Sequence, residues 1–141
     1  MYLIDTNVIS ELRKDTTANR GVIEFMSTVT AKEHRCYLSV ITVGELHMGA
    51  AKILHRGDSK QSAKLTEWID SLLKHYSDSI LPVDHDVSLI WAALRVPHHQ
   101  NALDKLIAAT ALSHSLTLVT RNTKDFIRTG VPLINPFSST T

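Results

Sequence analysis

Short apolar runs alternate along this chain with stretches of helical periodicity, and that alternation restricts the fold more than any other feature. Tyr2-Leu3-Ile4, Tyr37-Leu38-Ser39-Val40, Ile80-Leu81-Pro82-Val83 and Thr117-Leu118-Val119-Thr120 read as strands, with Leu133-Ile134 as a short fifth. Helical faces lie between them. Val22, Ile23, Phe25, Met26 and Val29 form one; Val43, Leu46, Ala50 and Leu54 form the next. Leu65, Trp68, Ile69, Leu72, Leu73 and Tyr76 keep the i, i+3, i+4 rule closely. The break at Gly57-Asp58-Ser59 makes the helices on either side of it a hairpin. Val87, Ile90, Trp91 and Leu94 form a further face, stopped by Pro97, and a helix from Ala102 to Leu116 carries the small residues Ala108, Ala109 and Ala111. Strands separated by helices imply a parallel sheet covered on both faces. Ligands of such folds bind at the carboxyl ends of the strands, where the strand order switches.

Composition narrows the functional classes. A length of 141 residues fits one domain, expected over residues 1–137, with Ser138 to Thr141 as a polar tail. Cys36 is the only cysteine, which excludes a disulfide framework and leaves a reducing compartment open. No stretch approaches the roughly 18 apolar residues of a membrane span. The start, Met1-Tyr2-Leu3-Ile4-Asp5, has no basic region of a secretion signal, so a cytoplasmic location with no membrane contact is expected. Fifteen basic residues against fourteen acidic ones give a net charge of +1, too balanced for binding nucleic acid by bulk basicity alone.

The chemistry lies in where the acids fall. Asp5 follows the first strand, Glu45 comes soon after the second, Asp125 soon after the fourth, and Asp104 opens the helix leading into the fourth. Viewed singly, helix capping is the commoner explanation for each. Thr42 to Glu45, Asn101 to Asp104 and Asn122 to Asp125 all have capping-box spacing, and Asp5 could precede a helix begun at Thr6 or Asn7. Capping needs no convergence, however, and clustered carboxylates repel unless a cation is present. An all-oxygen ligand set suits Mg²⁺ or Mn²⁺, the usual equipment of phosphodiester hydrolysis. His98-His99 lacks zinc spacing and reads as structural or peripheral. No GxSxG elbow, P-loop or GxGxxG is present, and Asn7 stands where an aspartyl-nucleophile phosphatase would want a second Asp.

Ile4-Asp5-Thr6-Asn7-Val8-Ile9-Ser10, Thr42-Val43-Gly44-Glu45-Leu46, Asp104-Lys105-Leu106-Ile107-Ala108-Ala109-Thr110-Ala111 and Leu118-Val119-Thr120-Arg121-Asn122-Thr123-Lys124-Asp125-Phe126 resemble, in order and spacing, the four motifs of PIN-domain nucleases. The closing Leu133-Ile134-Asn135-Pro136-Phe137 is similar to the family's end, and within the family the likeness is to VapC-type toxins, including the FitB-like branch. The resemblance implies a three-layer α/β/α sandwich with a central parallel sheet of four to five strands. It implies a Mg²⁺-dependent endoribonuclease, Mn²⁺ being a possible substitute, with Asp5, Glu45, Asp104 and Asp125 as the acidic quartet. Asp5 and Asp104 would be the direct metal ligands, and Glu45 would complete the metal shell or orient water. At the fourth position Asp125 is favoured over Asn122, which would orient ligands or contact substrate. Thr6 and Asn7 would orient Asp5, and Thr120 and Arg121 would meet phosphate, the alternative for Arg121 being an ion pair with a neighbouring carboxylate. The family also implies an RNA substrate, a homodimer and a small VapB- or FitA-like antitoxin, which alone would contact DNA.

Two rival readings share the fold: a PIN nuclease for RNA processing or DNA cleavage that is not a toxin, and a non-catalytic nucleic-acid-binding module. A full set of acids speaks against the second, because a groove of bare carboxylates repels phosphate. Setting the quartet aside leaves ten acidic residues against fifteen basic ones, so the near-neutral total conceals an acidic patch on a mildly basic body.

Overall fold

The structure, a computed structural model, describes residues 1–138. Its elements run in chain order as β1 (Tyr2–Ile4), α1 (Thr6–Leu12), α2 (Arg20–Ala31), β2 (Cys36–Ser39), α3 (Val40–His55), α4 (Ser59–His75), β3 (Ile80–Leu81), α5 (His85–Leu94), α6 (Ala102–Ser113), β4 (Thr117–Val119), α7 (Thr123–Phe126) and β5 (Leu133–Ile134). Among the described residues the strands form one sheet of order β3-β2-β1-β4-β5. Every pairing is parallel: Tyr2 stands opposite Cys36 and Thr117, Ile4 opposite Val119, Leu38 opposite Ile80, and Leu118 opposite Leu133. β3 is an edge strand, as Pro82 suggests.

Alternation along the strands divides the interior into two cores. Tyr2, Ile4, Leu38 and Val119 face one side, where Val8, Val22, Leu46, Leu65 and Ile69 of α1 to α4 cover them. Leu3, Tyr37, Leu118 and Leu133 face the other, under Leu94, Ile107, Ala108, Ala111 and Phe126 of α5 to α7. This is the expected α/β/α sandwich, with the fifth strand formed. The small residues of α6 lie fully buried against the sheet. α3 and α4 pack as the expected hairpin, tied by the Ser62 hydroxyl donating to the Ala50 carbonyl at 2.9 Å.

The chain builds outward from β1 to β3 on one side, then returns to lay β4 and β5 on the other. The switch in strand order therefore falls between β1 and β4, and their carboxyl ends open a crevice there. Helix starts differ from the sequence expectation in one informative way. Ser39 caps α3, its hydroxyl accepting from the Ile41 amide at 3.0 Å, so Thr42 and Glu45 lie inside the helix and form no capping box. The other two expected boxes are also absent. Asn101 precedes α6 in a left-handed conformation with no side-chain cap, and Asn122 precedes α7 without one. Leu54, expected on the buried face of α3, is exposed because that face runs through Thr42, Leu46, Ala50 and Ile53 and Leu54 falls beside it.

The end of the described chain is held to α2. The Asn19 side-chain oxygen accepts from the amides of Gly21 and Ser138, both at 3.0 Å, while its nitrogen donates to the Ser138 carbonyl at 3.1 Å. The expected tail beyond Ser138 lies outside the described residues. Gly21 is required by this closure: a Cβ there would strike the Pro136 carbonyl oxygen and lie 2.5 Å from the Ser138 amide nitrogen. Both are backbone atoms and cannot swing aside. Gly21→Ala should cost about 1–3 kcal/mol and lower the melting temperature by about 3–10 °C. An unchanged melt would show that the C-terminal segment contributes nothing to stability.

Candidate active site

Asp5 ends β1 and caps α1, and its carboxylate is almost fully buried in the crevice. Oδ1 accepts from the Thr6 amide at 2.8 Å. Oδ2 accepts from the Thr120 hydroxyl at 2.7 Å and the Asn7 side-chain amide at 3.2 Å. Burial raises the Asp5 pKa above the ordinary value, and these three hydrogen bonds work against that shift. Thr120 is the hub. Besides donating to Asp5, its hydroxyl accepts from Asn7 Nδ2 at 3.3 Å and from the Asn122 amide at 3.1 Å. Asn7 Oδ1 in turn accepts from the Arg121 amide at 3.1 Å. The loop after β4 is thus fastened to the first turn of α1.

Glu45 reaches this cluster through Thr6, whose hydroxyl donates to Glu45 Oε1 at 2.7 Å and stands 3.0 Å from the Thr42 hydroxyl. Thr42, expected as a helix cap and as part of the second motif, is fully buried. The available signal was its position four residues before Leu46, on the core face of α3, where a polar side chain needs a partner.

Asp104 and Asp125 complete the group by field rather than by hydrogen bond. Asp104 lies half-buried in the first turn of α6. Its carboxyl is pushed up to about 6, first by burial and then by the charges of Asp5, Asp125 and Glu45. The four predicted acids therefore lie along one edge, the other three within electrostatic reach of Asp104. Asp125 stands exposed on α7, its amide bonded to the Asn122 carbonyl at 3.0 Å. Among the described residues Arg121 joins no ion pair, so the alternative of a neighbouring carboxylate is not taken; its guanidinium lies over the Phe137 ring at 4.7 Å. Trp68 and Trp91 pack as expected on helical faces, with Trp91 Nε1 donating to the Ala102 carbonyl at 3.0 Å. Cys36 lies against the core, and burial pushes its thiol up to about 11, so it is inert.

The donors discriminate between ions. Among the described residues no three His, Cys, Asp or Glu side chains stand close enough to form a ready metal cage. That argues against zinc or a dedicated Ca²⁺ cage, which need a nearly closed protein shell. Mg²⁺ differs: it keeps several waters and is held by one or two carboxylates. An unneutralised acidic edge, with no side-chain hydrogen bond to Asp104 among the described residues, fits that mode.

A parallel sheet with its crevice at the β1–β4 switch, edged by four carboxylates, defines the chain's class: it belongs to the PIN-domain family, whose pattern matches residues 2–132. Among individual proteins it is similar to Toxin FitB of Neisseria gonorrhoeae, 38% identical over 97% of this chain and 99% of that protein. It is 32% identical to VapC ribonuclease Y4jK of Sinorhizobium fredii, over 97% of this chain and 98% of that protein. The structure of FitAcB from Neisseria gonorrhoeae superposes with a TM-score of 0.83 at 37% identity, covering 96% of this chain and 98% of that one. A toxin–antitoxin complex from Klebsiella pneumoniae also shares the fold, with a TM-score of 0.64 at 28% identity over 99% of this chain and 100% of that one. No helix among the described residues is long and apolar enough to cross a membrane.

The raised pKa of Asp104 carries a stability consequence. Between the ordinary 3.8 and about 6 the folded protein holds a proton that the unfolded chain releases, so stability is full below that window and is lost as pH rises through it. In excess chelator, Asp104→Asn should therefore melt higher than the parent at pH 8, and the two should converge toward pH 4. Equal melting temperatures at pH 8 would show that no repulsion acts on Asp104.

Proposed function

We propose that this chain is a Mg²⁺-dependent endoribonuclease and the toxin of a VapBC-type pair, with Mn²⁺ as a possible substitute ion. The observation carrying the proposal is Asp104, held half-buried within the field of three other acids at the switch crevice. Such an arrangement is costly in the bare protein and useful once a divalent cation is present. Asp5 and Asp104 would hold the ion, with Glu45 and Asp125 flanking it. When bound, the ion would supply positive charge for the attacking and leaving oxygens of a phosphodiester.

The chain's own residues set the stage for that chemistry. Thr120, Asn7 and the Thr6 amide fix the Asp5 carboxylate in one orientation and favour its charged form. Thr6 and Thr42 hold Glu45 toward the crevice. Arg121 and Asn122, exposed beside it, offer donors to an incoming phosphate, and among the described residues Arg121 has no ion pair to give up. The ribonuclease and toxin roles are supported by similarity to Y4jK and FitB over nearly the full chain. A homodimer and a VapB- or FitA-like antitoxin, through which alone DNA would be met, belong to the same proposal.

Purified protein should cleave single-stranded RNA only with Mg²⁺ or Mn²⁺. Asp5→Asn should lower the rate by about 100-fold or more. Cleavage that persists in excess chelator would overturn the metal mechanism. Growth arrest on expression, relieved by Asp104→Asn, would test the toxin role. Thr120→Val should cost about 10–100-fold in Mg²⁺ affinity, as loss of an outer ligand support does, whereas Thr120→Ser should restore it. At the fourth position, Asp125→Ala should impair cleavage more than Asn122→Ala; a harmless Asp125→Ala would transfer the role to Asn122.

A further inference from the structure

Beside the carboxylates, and sharing Asp125 with them, lies a cleft of about 600 Å³. Its size is in the range of about 300–1,000 Å³ that small ligands occupy. Its walls are the end of α5, the loop 96–101, the first turn of α6, α7 and the turn that follows. Lys105, Lys124 and Arg128 line it, against the single carboxylate of Asp125. Lys105 is buried and donates to the His98 carbonyl, which fastens the loop to α6. Arg128 Nη1 lies 3.4 Å from His98 Nε2. Lys124 and Arg128 are exposed, and neither joins an ion pair among the described residues. The positive side of this edge of the sheet is therefore unneutralised and directly adjoins its negative side.

We propose that this cleft seats the nucleotide next to the scissile bond, with Lys124 and Arg128 holding its phosphate. The inference rests on the nuclease reading above. A strand whose reacting phosphate lies at Asp5 and Asp104 must lead its neighbouring phosphates away from the acids. The cleft is a place alongside them where cations outnumber carboxylates. An acidic peptide would fit the cations less well, because it has no way past the acidic edge without leaving the cleft. Lys105 acts here as a positioning residue, setting the loop that forms the opposite wall.

The test is steady-state cleavage of a short fluorogenic single-stranded RNA with Mg²⁺, between about 50 and 200 mM KCl. The double variant Lys124→Ala, Arg128→Ala should raise KM roughly tenfold with kcat little changed. The dependence of log KM on log salt should flatten by about 0.7, the loss of one phosphate contact on a single strand. The charge-preserving pair Lys124→Arg, Arg128→Lys should return both towards the parent values. Unchanged KM and salt dependence in the alanine variant, with the parent enzyme active, would overturn the cleft alone. A parent protein that neither binds nor cleaves RNA with any divalent ion would overturn the nuclease reading and the cleft together. An oligoglutamate peptide that competes as well as RNA does, with or without Mg²⁺, would replace the nucleotide by an acidic protein segment.

Discussion

The hydrogen bond from the Thr120 hydroxyl to Asp5 Oδ2, 2.7 Å long and closed to solvent, joins the ends of the two strands on which the site is built. β1 and β4 are already registered by their ladder, with Ile4 opposite Val119. One residue further on, the ladder gives way to side chains, and this bond continues the connection past the sheet. Bonds of a neutral donor to a buried charge contribute about 1.5–3 kcal/mol, more than a typical neutral pair. The Thr120 hydroxyl also receives two N–H groups, from Asn7 and Asn122. The carboxylate, the start of α1 and the loop carrying Arg121 are thereby fixed relative to one another. Because no buried side-chain nitrogen or oxygen among the described residues lacks a partner, the network is complete.

Charge is arranged with the same economy of position. A net charge of +1 would be uninformative if its members were scattered. Here the acids gather where β1 and β4 end, and Lys105, Lys124 and Arg128 line the adjoining cleft. Neighbouring regions of opposite sign create a local field that the total charge conceals. The C-terminal segment contributes to this arrangement from a distance. Asn19 anchors Ser138, Phe137 packs on the core, and the Phe137 ring carries the Arg121 guanidinium.

Much of this was legible in the sequence because period and order survive folding. The apolar runs at Tyr2, Leu118 and Leu133 became strands, and the stripe of Leu65, Ile69 and Leu72 became one packed helix face. Placement of the acids followed from topology alone, since a parallel sheet must bring strand ends to one edge. What the sequence obscured was helix phase. A Thr three residues before a Glu describes a capping box and equally a Thr and Glu one turn apart inside a helix. Ser39, three residues earlier and at the end of β2, takes the capping role, and that choice turns Thr42 inward toward Thr6. The partner of Arg121 was hidden for another reason. Phe137 is sixteen residues away in sequence, and no local pattern announces a contact made by the chain's return.

The cost recorded at Asp104 also explains why capping alone is an incomplete account of these acids. A carboxylate in the first turn of a helix should be stabilised by the helix dipole and should titrate at or below its ordinary pKa. Asp104 occupies such a turn and titrates at about 6, because burial and three neighbouring acids outweigh the dipole. A residue kept only to support the helix start would be relieved of that repulsion by a change to Gln, the uncharged residue favoured at this third helical position. The folded state instead carries a charge that it disfavours, in a crevice closed by a complete hydrogen-bond network. Any cation that binds the folded form there lowers its free energy in proportion to the logarithm of the cation's concentration over its dissociation constant. Stability and ligand binding would thus be coupled through the same carboxylate.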